Sequence, residues 1–193
     1  MTPRTPTRER LLQAAASLFR SQGYASTGLS QVLAEGGAPK GVLYFHFPGG
    51  KEQLAAEAVA LAGRQLCEMI TAVLAAAPDP GTGIGQVAGL FGQALVASGF
   101  REGCPVATVA LDASGDSEAI RMSCEGAYSS WADALERHLR DHGVAGEDAR
   151  QLATFVLASF EGALLLARVQ RDVSPLYAVA ATLAGMVDKA VSR

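Results

Sequence analysis

Two histidines near the end of a predicted helix have the spacing that best fits metal chemistry. His138 and His142 are four residues apart, so one helix face would carry both and could supply half of a zinc site. No cysteine pair accompanies them, and Arg137 and Arg140 add positive charge nearby. Two solvent-exposed histidines, favoured by the helix dipole, are the simpler interpretation. We therefore predict no metal site.

Two glycine-containing segments match nucleotide-binding loops only in part. Gly83-Ile84-Gly85-Gln86-Val87-Ala88 fits the loose dinucleotide pattern, but it follows two prolines and a helix rather than a strand. Gly49-Gly50-Lys51 resembles the end of a phosphate loop, but Phe45 stands where the first glycine belongs. The three cysteines are too far apart for a disulfide framework or a paired-cysteine zinc site. These absences predict a chain that is not an enzyme and needs no cofactor.

The composition indicates a folded helical protein. The 193 residues are 49% hydrophobic, with 16 Lys and Arg against 19 Asp and Glu, which excludes a disordered chain. Glu161 and Arg168 interrupt the most apolar stretch, so no apolar run approaches the ~18–20 residues of a membrane span. The N-terminus lacks the apolar core of a signal peptide. We expect a cytoplasmic protein that makes no membrane contact.

Charge is distributed unevenly along the chain. Residues 1–51 carry six basic side chains, Arg4 among them, and two acidic ones, whereas the remainder carries ten basic and seventeen acidic ones. A small basic head on an acidic body indicates that the head contacts a polyanion.

Hydrophobic periodicity predicts three helices in this head. The first covers Thr7–Gln22 with Thr7 as its N-cap, and the second covers Gly28–Glu35, capped by Ser26-Thr27. The third begins at Pro39, after the Gly36-Gly37 turn. Two short helices around a glycine turn, braced by a longer first helix, fit a helix-turn-helix. A generic helical hairpin is the alternative.

One segment resembles a known DNA-binding signature. Residues 37–47, Gly-Ala-Pro-Lys-Gly-Val-Leu-Tyr-Phe-His-Phe, followed by Gly-Lys-Glu-Gln-Leu at 50–54, resemble the signature of TetR-family repressors. The Phe-Pro-Gly-Gly-Lys-Glu run at 47–52 and Gly-Cys-Pro-Val at 103–106 further resemble the LmrA/YxaF-like branch. The resemblance implies a DNA-binding transcriptional regulator whose C-terminal body dimerises and binds a ligand.

The resemblance also implies which head residues contact operator DNA. The positions expected to meet phosphates are Thr27, Tyr44, His46 and Lys51. The positions expected near base edges are Pro39, Lys40 and Gly41. Two residues depart from the family pattern, because Val42 stands where Ser or Thr is frequent and Phe45 where His or Tyr is frequent. Packing between head and body is the alternative role of Tyr44 and His46.

The remaining chain predicts a helical body. A long helix over Lys51–Ala77 should join the two parts, and the later helices are expected at Ile84–Phe100, Val106–Ala113, Ser117–His142, Glu147–Gln170 and Ser174–Ser192. The predicted fold is all-α, with a helix-turn-helix DNA-binding domain at residues 1–50 and an effector-binding and dimerisation domain at residues 51–193.

The last two helices predict a homodimer. Helix Glu147–Gln170 is apolar around most of its circumference, and a second subunit is the natural cover. The residues expected at this interface are Phe155, Ala158, Ser159, Gly162, Leu166, Leu176, Val179, Leu183 and Met186. A monomer whose own helices cover both faces is the alternative. A dimer would present two recognition helices to successive major grooves, roughly 34–36 Å apart on a palindromic site.

An apolar cavity in the body would allow the protein to bind an effector. The candidate lining residues are Phe91, Leu95, Phe100, Cys104, Tyr128, Trp131 and Phe155, and ordinary core packing is the alternative for each. The resemblance implies a small apolar effector. The sequence thus predicts a ligand-responsive repressor, located on the nucleoid when it is bound to operator DNA. The alternative is a dimeric helical carrier of small molecules without specific DNA binding.

Overall fold

The computed structural model describes residues 6–191, and these residues form helices and turns without a strand. The helices are α1 (Thr7–Gln22), α2 (Leu29–Glu35), α3 (Leu43–His46), α4 (Gly50–Ala76), α5 (Pro80–Ala97), α6 (Ala107–Ala113), α7 (Glu118–Asp141), α8 (Gly146–Gln170) and α9 (Ser174–Val191), with a 3-10 turn at Lys40–Val42. The predicted all-α fold is confirmed. Arg4 and Ser192 lie outside the described residues.

The described chain packs as two compact units. The N-terminal unit contains the residues up to Arg64 together with Cys104–Ala127, and the C-terminal unit contains Gln65–Gly103 and the residues from Tyr128 onward. Segment 104–127 therefore packs with the first helices, although it follows them by many residues. The functional division at residue 50 remains a prediction.

The N-terminal unit is built around the apolar stripe of α1. Leu11, Ala15 and Phe19 are fully buried, as the three- and four-residue spacing predicts. They share the core with apolar residues of the next helices: Val32, Leu43, Phe47, Leu54 and Ala58.

Both side-chain caps predicted in this region are wrong. Thr7 is the first residue of α1, and Pro6 precedes it without a side-chain hydrogen bond. Gly28 precedes α2, and the Gln31 side chain accepts the Gly28 N–H at 2.9 Å. The cap of α2 is therefore supplied from inside the helix.

The C-terminal unit packs α5, α8 and α9 together. Asp79 caps helix α5, because its carboxylate accepts the Thr82 N–H at 2.7 Å, and Pro80 is the first residue of the helix. The rings of Phe91 and Phe160 meet edge to face at 5.8 Å. Trp131 of α7 is also fully buried.

The expectation of two exposed histidines is wrong for His138. Its side chain is only 7% exposed, and its Nε2 atom has no hydrogen-bond partner among the described residues. Burial is the main reason that the pKa of His138 is lowered, and the neighbouring His142 lowers it further. The described residues contain no group of three His, Cys, Asp or Glu side chains that could hold a metal ion.

Helix α8 leaves much of its apolar surface uncovered. By length and composition alone, α4 and α8 could each cross a membrane. Only 33% of the most apolar stretch of α8 is buried within the chain. An apolar face left open on this scale marks a subunit interface or a membrane contact.

Gly83 permits the close approach of α5 to the imidazole of His138. A Cβ atom at position 83 would lie 2.9 Å from His138 Nε2 and 3.3 Å from Ala77 Cβ, whereas one at Gly85 would meet nothing within 4 Å. We expect Gly83→Ala to lower the free energy of unfolding by about 1–3 kcal/mol through overpacking. Gly85→Ala should raise it by about 0.5–1 kcal/mol through helix propensity. Urea unfolding of both variants tests this, and equal effects would contradict it.

Candidate nucleic-acid interface

A braced glycine turn positions the segment expected to approach DNA. Gly37 adopts a positive φ of 59°, and the Ala38 N–H donates to Leu33 O at 2.9 Å. Arg10 of α1 donates through Nε to Gly36 O at 3.0 Å. The turn between α2 and the following segment is therefore attached to α1 by a charged hydrogen bond.

The recognition segment is a 3-10 turn that continues into one turn of α-helix. It runs from Lys40 to His46, where the sequence analysis predicted a single helix from Pro39. Leu43 is fully buried, and Phe47, just beyond the segment, is buried as well. These two side chains anchor the segment, so its opposite face lies open to solvent.

The open face carries the predicted base-contacting and phosphate-contacting residues side by side. Pro39, Lys40 and Gly41 are exposed, and so is the ring of Tyr44. His46 is half-buried, with its ring 5.1 Å from that of Phe45. Tyr44 is 61% exposed, whereas the alternative of packing between head and body would bury it.

Phe45 was not among the predicted contact residues. It is 81% exposed, which is unusual for a phenylalanine on an otherwise polar face. Its departure from the family pattern was the sequence signal that singled it out. Phenylalanine can make apolar contact with thymine methyl groups in the major groove.

Lys51 lies in the first turn of α4, next to the α1–α2 turn. Its Nζ atom is 4.3 Å from the centroid of the Tyr24 ring and donates to Ala25 O at 3.5 Å. Burial lowers the pKa of the Lys51 ammonium, and the charge of Asp112 acts in the opposite direction. The ammonium is therefore held in place while part of it remains accessible.

Thr27 does not face solvent, which corrects its predicted role as a phosphate donor. Its side chain is buried, with a residue exposure of 1%. Its hydroxyl donates to Gly23 O at 2.7 Å and accepts from Gln22 Nε2 at 3.2 Å. Thr27 therefore closes the turn after α1.

Some of the basic residues of the head have internal partners. Arg8 pairs with Glu57 of α4, and its guanidinium lies 5.2 Å from the centroid of the Phe47 ring. Arg10 holds the glycine turn. Lys40 and Lys51 are the basic residues of this region that we predict to contact DNA. Arg4 lies outside the described residues.

The sequence of this head and that of the body each match a known family. Residues 11–58 match the tetR family of bacterial regulatory proteins, and residues 80–182 match the C-terminal domain of LmrA/YxaF-like transcriptional regulators. The chain belongs to the TetR family. It is therefore a DNA-binding transcriptional regulator by family, with a body of the LmrA/YxaF type.

Relatives of this TetR-family protein match over almost its whole length. The HTH-type transcriptional regulator LmrA of Bacillus subtilis is 38% identical over 94% of this chain and 97% of its own. An uncharacterized HTH-type transcriptional regulator of the same organism, YxaF, is 35% identical over 98% of this chain and 99% of its own.

Solved structures show the same fold. The regulatory protein TetR from Rhodobacter sphaeroides matches with a TM-score of 0.83 at 19% identity, covering 92% of this chain and 97% of that one. The reduced form of NemR from Escherichia coli matches with a TM-score of 0.78 at 23% identity, covering 92% and 95%.

The residues predicted to line one effector cavity are spread over several environments of the TetR-family chain. Leu95 and Trp131 are buried core residues of the C-terminal unit, whereas Cys104 belongs to the N-terminal unit. Phe155 lines a groove of about 460 Å³ with α9 residues, and Tyr128 lines a different groove of about 300 Å³ with α8 residues. The other two predicted residues, Phe91 and Phe100, are half-buried.

The predicted interface residues divide into three groups by their exposure. Phe155, Ala158, Gly162, Leu166 and Met186 are exposed and available to a partner, and Ser159 and Val179 are half-buried. Leu176 and Leu183 are fully buried within their own chain, so their assignment to the interface is wrong. Their stripe on α9 faces the core instead. The sequence analysis missed two exposed apolar residues of α8, Leu165 and Val169.

The buried hydroxyl of Thr27 stabilises the turn after α1 through its bond to Gly23 O. We expect Thr27→Val to lower the free energy of unfolding by about 1–2 kcal/mol, because Gly23 O would lose its buried donor. Ser26→Ala, an exposed neighbour, is the matched control and should be neutral. Urea unfolding measures both. A Thr27→Val protein of unchanged stability but weakened DNA binding would restore the phosphate role.

Proposed function

We propose that this TetR-family protein is a ligand-responsive repressor that binds a palindromic operator as a homodimer. The observation that supports this best is the recognition segment, which is anchored by Leu43 and open on the face that carries Lys40 and Tyr44. A short helix held in this way can enter the major groove with defined side chains. The protein then acts in the cytoplasm, on the nucleoid.

Each of these residues of the head has a role that its chemistry allows. The Tyr44 hydroxyl, the His46 ring and the Lys51 ammonium hold phosphates and so fix the register of the head on DNA. Pro39, Lys40 and Gly41 approach base edges, where Lys40 can donate to guanine. Phe45 contacts thymine methyl groups. Thr27 contributes by shaping the turn beside Lys51.

Dimerisation uses the open apolar face of α8 and the outward face of α9. Phe155, Leu165, Leu166 and Val169 offer large apolar side chains, and Gly162 allows a partner helix to approach closely. The two heads of the dimer then reach half-sites one helical turn apart.

Release from DNA is a population shift. A small apolar effector binds among the aromatic residues of the C-terminal unit, with Phe91 and Tyr128 as the half-buried candidates. It favours a form of the dimer whose heads no longer match the operator. The effector must bind that form more tightly than the DNA-bound form, since equal affinity shifts nothing.

Operator binding is tested by fluorescence anisotropy on the DNA beside the protein's own gene, across a range of salt concentrations. We expect affinity to fall steeply with salt. Lys51→Ala should weaken binding and reduce the slope of log K against log salt by about one, because one phosphate contact is lost. Tyr44→Phe should weaken binding by about tenfold while leaving that slope nearly unchanged.

Tyr128→Phe removes the same hydroxyl and Arg137→Ala removes one positive charge in the C-terminal unit, so these two variants serve as controls. Both should bind DNA like the wild type. Wild-type binding no tighter than to random DNA would contradict the repressor and favour the small-molecule carrier.

The dimer is tested by charging the open face of α8. Leu166 is 52% exposed, and Leu166→Glu should shift the sedimentation mass from dimer to monomer, because the glutamate would be buried without a partner. Leu111→Glu is the matched control, since Leu111 is 88% exposed on α6 of the N-terminal unit. A wild-type monomer, or dimers of both variants, would contradict the proposal.

A further inference from the structure

The carboxylate of Asp112 contacts the turn that follows α1. Asp112 lies on α6, and its Oδ2 atom accepts the Ala25 N–H at 3.2 Å across 87 residues of chain. This aspartate is within the part of the chain that matches the LmrA/YxaF-like C-terminal domain, whereas Ala25 is within the part that matches the DNA-binding domain. Both residues belong to the N-terminal unit.

Gly23 makes room for this carboxylate. A Cβ atom at position 23 would lie 2.6 Å from Asp112 Oδ2, and the glycine also has a φ of 84°, where other residues are strained. The turn is thus built so that a charged oxygen from α6 can approach its backbone. The same turn is closed from within by the Thr27 hydroxyl.

The backbone of Ala25 hydrogen-bonds to both Asp112 and Lys51. Its N–H donates to Asp112, and the carbonyl of Ala25 accepts from Lys51 Nζ at 3.5 Å. Tyr24, the preceding residue, places its ring 4.3 Å from the same Nζ atom. Any movement of this turn therefore moves both groups that hold the lysine ammonium.

A second contact joins the same two parts of the chain. The Ser117 hydroxyl hydrogen-bonds to the carboxylate of Glu52, the residue after Lys51. Segment 104–127 therefore contacts both the start of α4 and the α1–α2 turn.

We propose that Asp112 is a positioning residue for operator binding, because its carboxylate fixes the α1–α2 turn and so places Lys51 for its phosphate contact. The inference rests on the proposed role of Lys51. Asp112, in the part of the chain that matches the LmrA/YxaF-like C-terminal domain, thus supports DNA binding through Lys51 without touching DNA itself.

Two effects of removing this carboxylate must be separated. Loss of a negative charge near DNA strengthens long-range attraction to phosphates, whereas loss of the contact to Ala25 displaces Lys51 and weakens binding. Asp116, exposed in the turn after α6, offers the same change of charge without the contact to Ala25. Asp112→Ala and Asp116→Ala are therefore a matched pair.

The experiment measures operator affinity by anisotropy for both variants, each in the wild-type and in the Lys51→Ala background. With Lys51 present, Asp112→Ala should bind about tenfold more weakly than Asp116→Ala. In the Lys51→Ala background the difference should shrink to less than about twofold, because the residue acts through the lysine. A purely structural role would give the same loss in both backgrounds and would overturn the inference.

Hydrogen exchange of the Ala25 amide tests the hydrogen bond between Ala25 and Asp112 in the absence of DNA. It should be about tenfold faster in Asp112→Ala than in Asp116→Ala. If the wild type binds its operator but the Asp112→Ala and Asp116→Ala variants have equal exchange rates or equal operator affinities, this inference is wrong and the proposed function still stands. A wild type that does not prefer its operator removes the proposed function, and this inference with it.

Discussion

The burial of Leu43 and Phe47 is the constraint on which the proposed DNA-binding surface depends. The recognition segment is a 3-10 turn and one helical turn, far too short to be stable in isolation, because helix nucleation is unfavourable. Its conformation must therefore come from tertiary packing, because Leu43 and Phe47 are buried and the Phe47 ring lies 5.2 Å from the guanidinium of Arg8 on α1. Because Leu43 and Phe47 are buried, Tyr44 and Phe45 lie on the exposed face of the segment.

Charged residues of the head divide between bracing and recognition. The guanidinium of Arg10 donates a hydrogen bond to the glycine turn. The guanidinium of Arg8 pairs with Glu57 and lies over the Phe47 ring. A guanidinium suits this work because its planar fork can bond backbone carbonyls and carboxylates and can lie over a ring. The lysines, with compact ammonium groups on flexible stems, stay near the surface, where a phosphate can reach them. A count of basic residues therefore overstates the charge available to DNA.

The body combines tight packing inside with an apolar surface outside. Where Gly83 meets His138, the interior has no room for one more carbon atom. The outer face of α8 shows the opposite, because Leu165, Leu166 and Val169 are left in solvent by their own chain. This open face is the surface on which we propose that a second subunit packs.

The helical fold, the helix-turn-helix and the family could be predicted from the sequence, because glycine turns, periodic apolar stripes and a local signature are all short-range features. The sequence did not determine which way several side chains point. Thr27 and His138 turned inward, and Leu176 and Leu183 face their own core, because periodicity defines a stripe without naming what covers it. The contact between Asp112 and Ala25 was also beyond prediction. It joins residues 87 positions apart, and only tertiary packing brings them together.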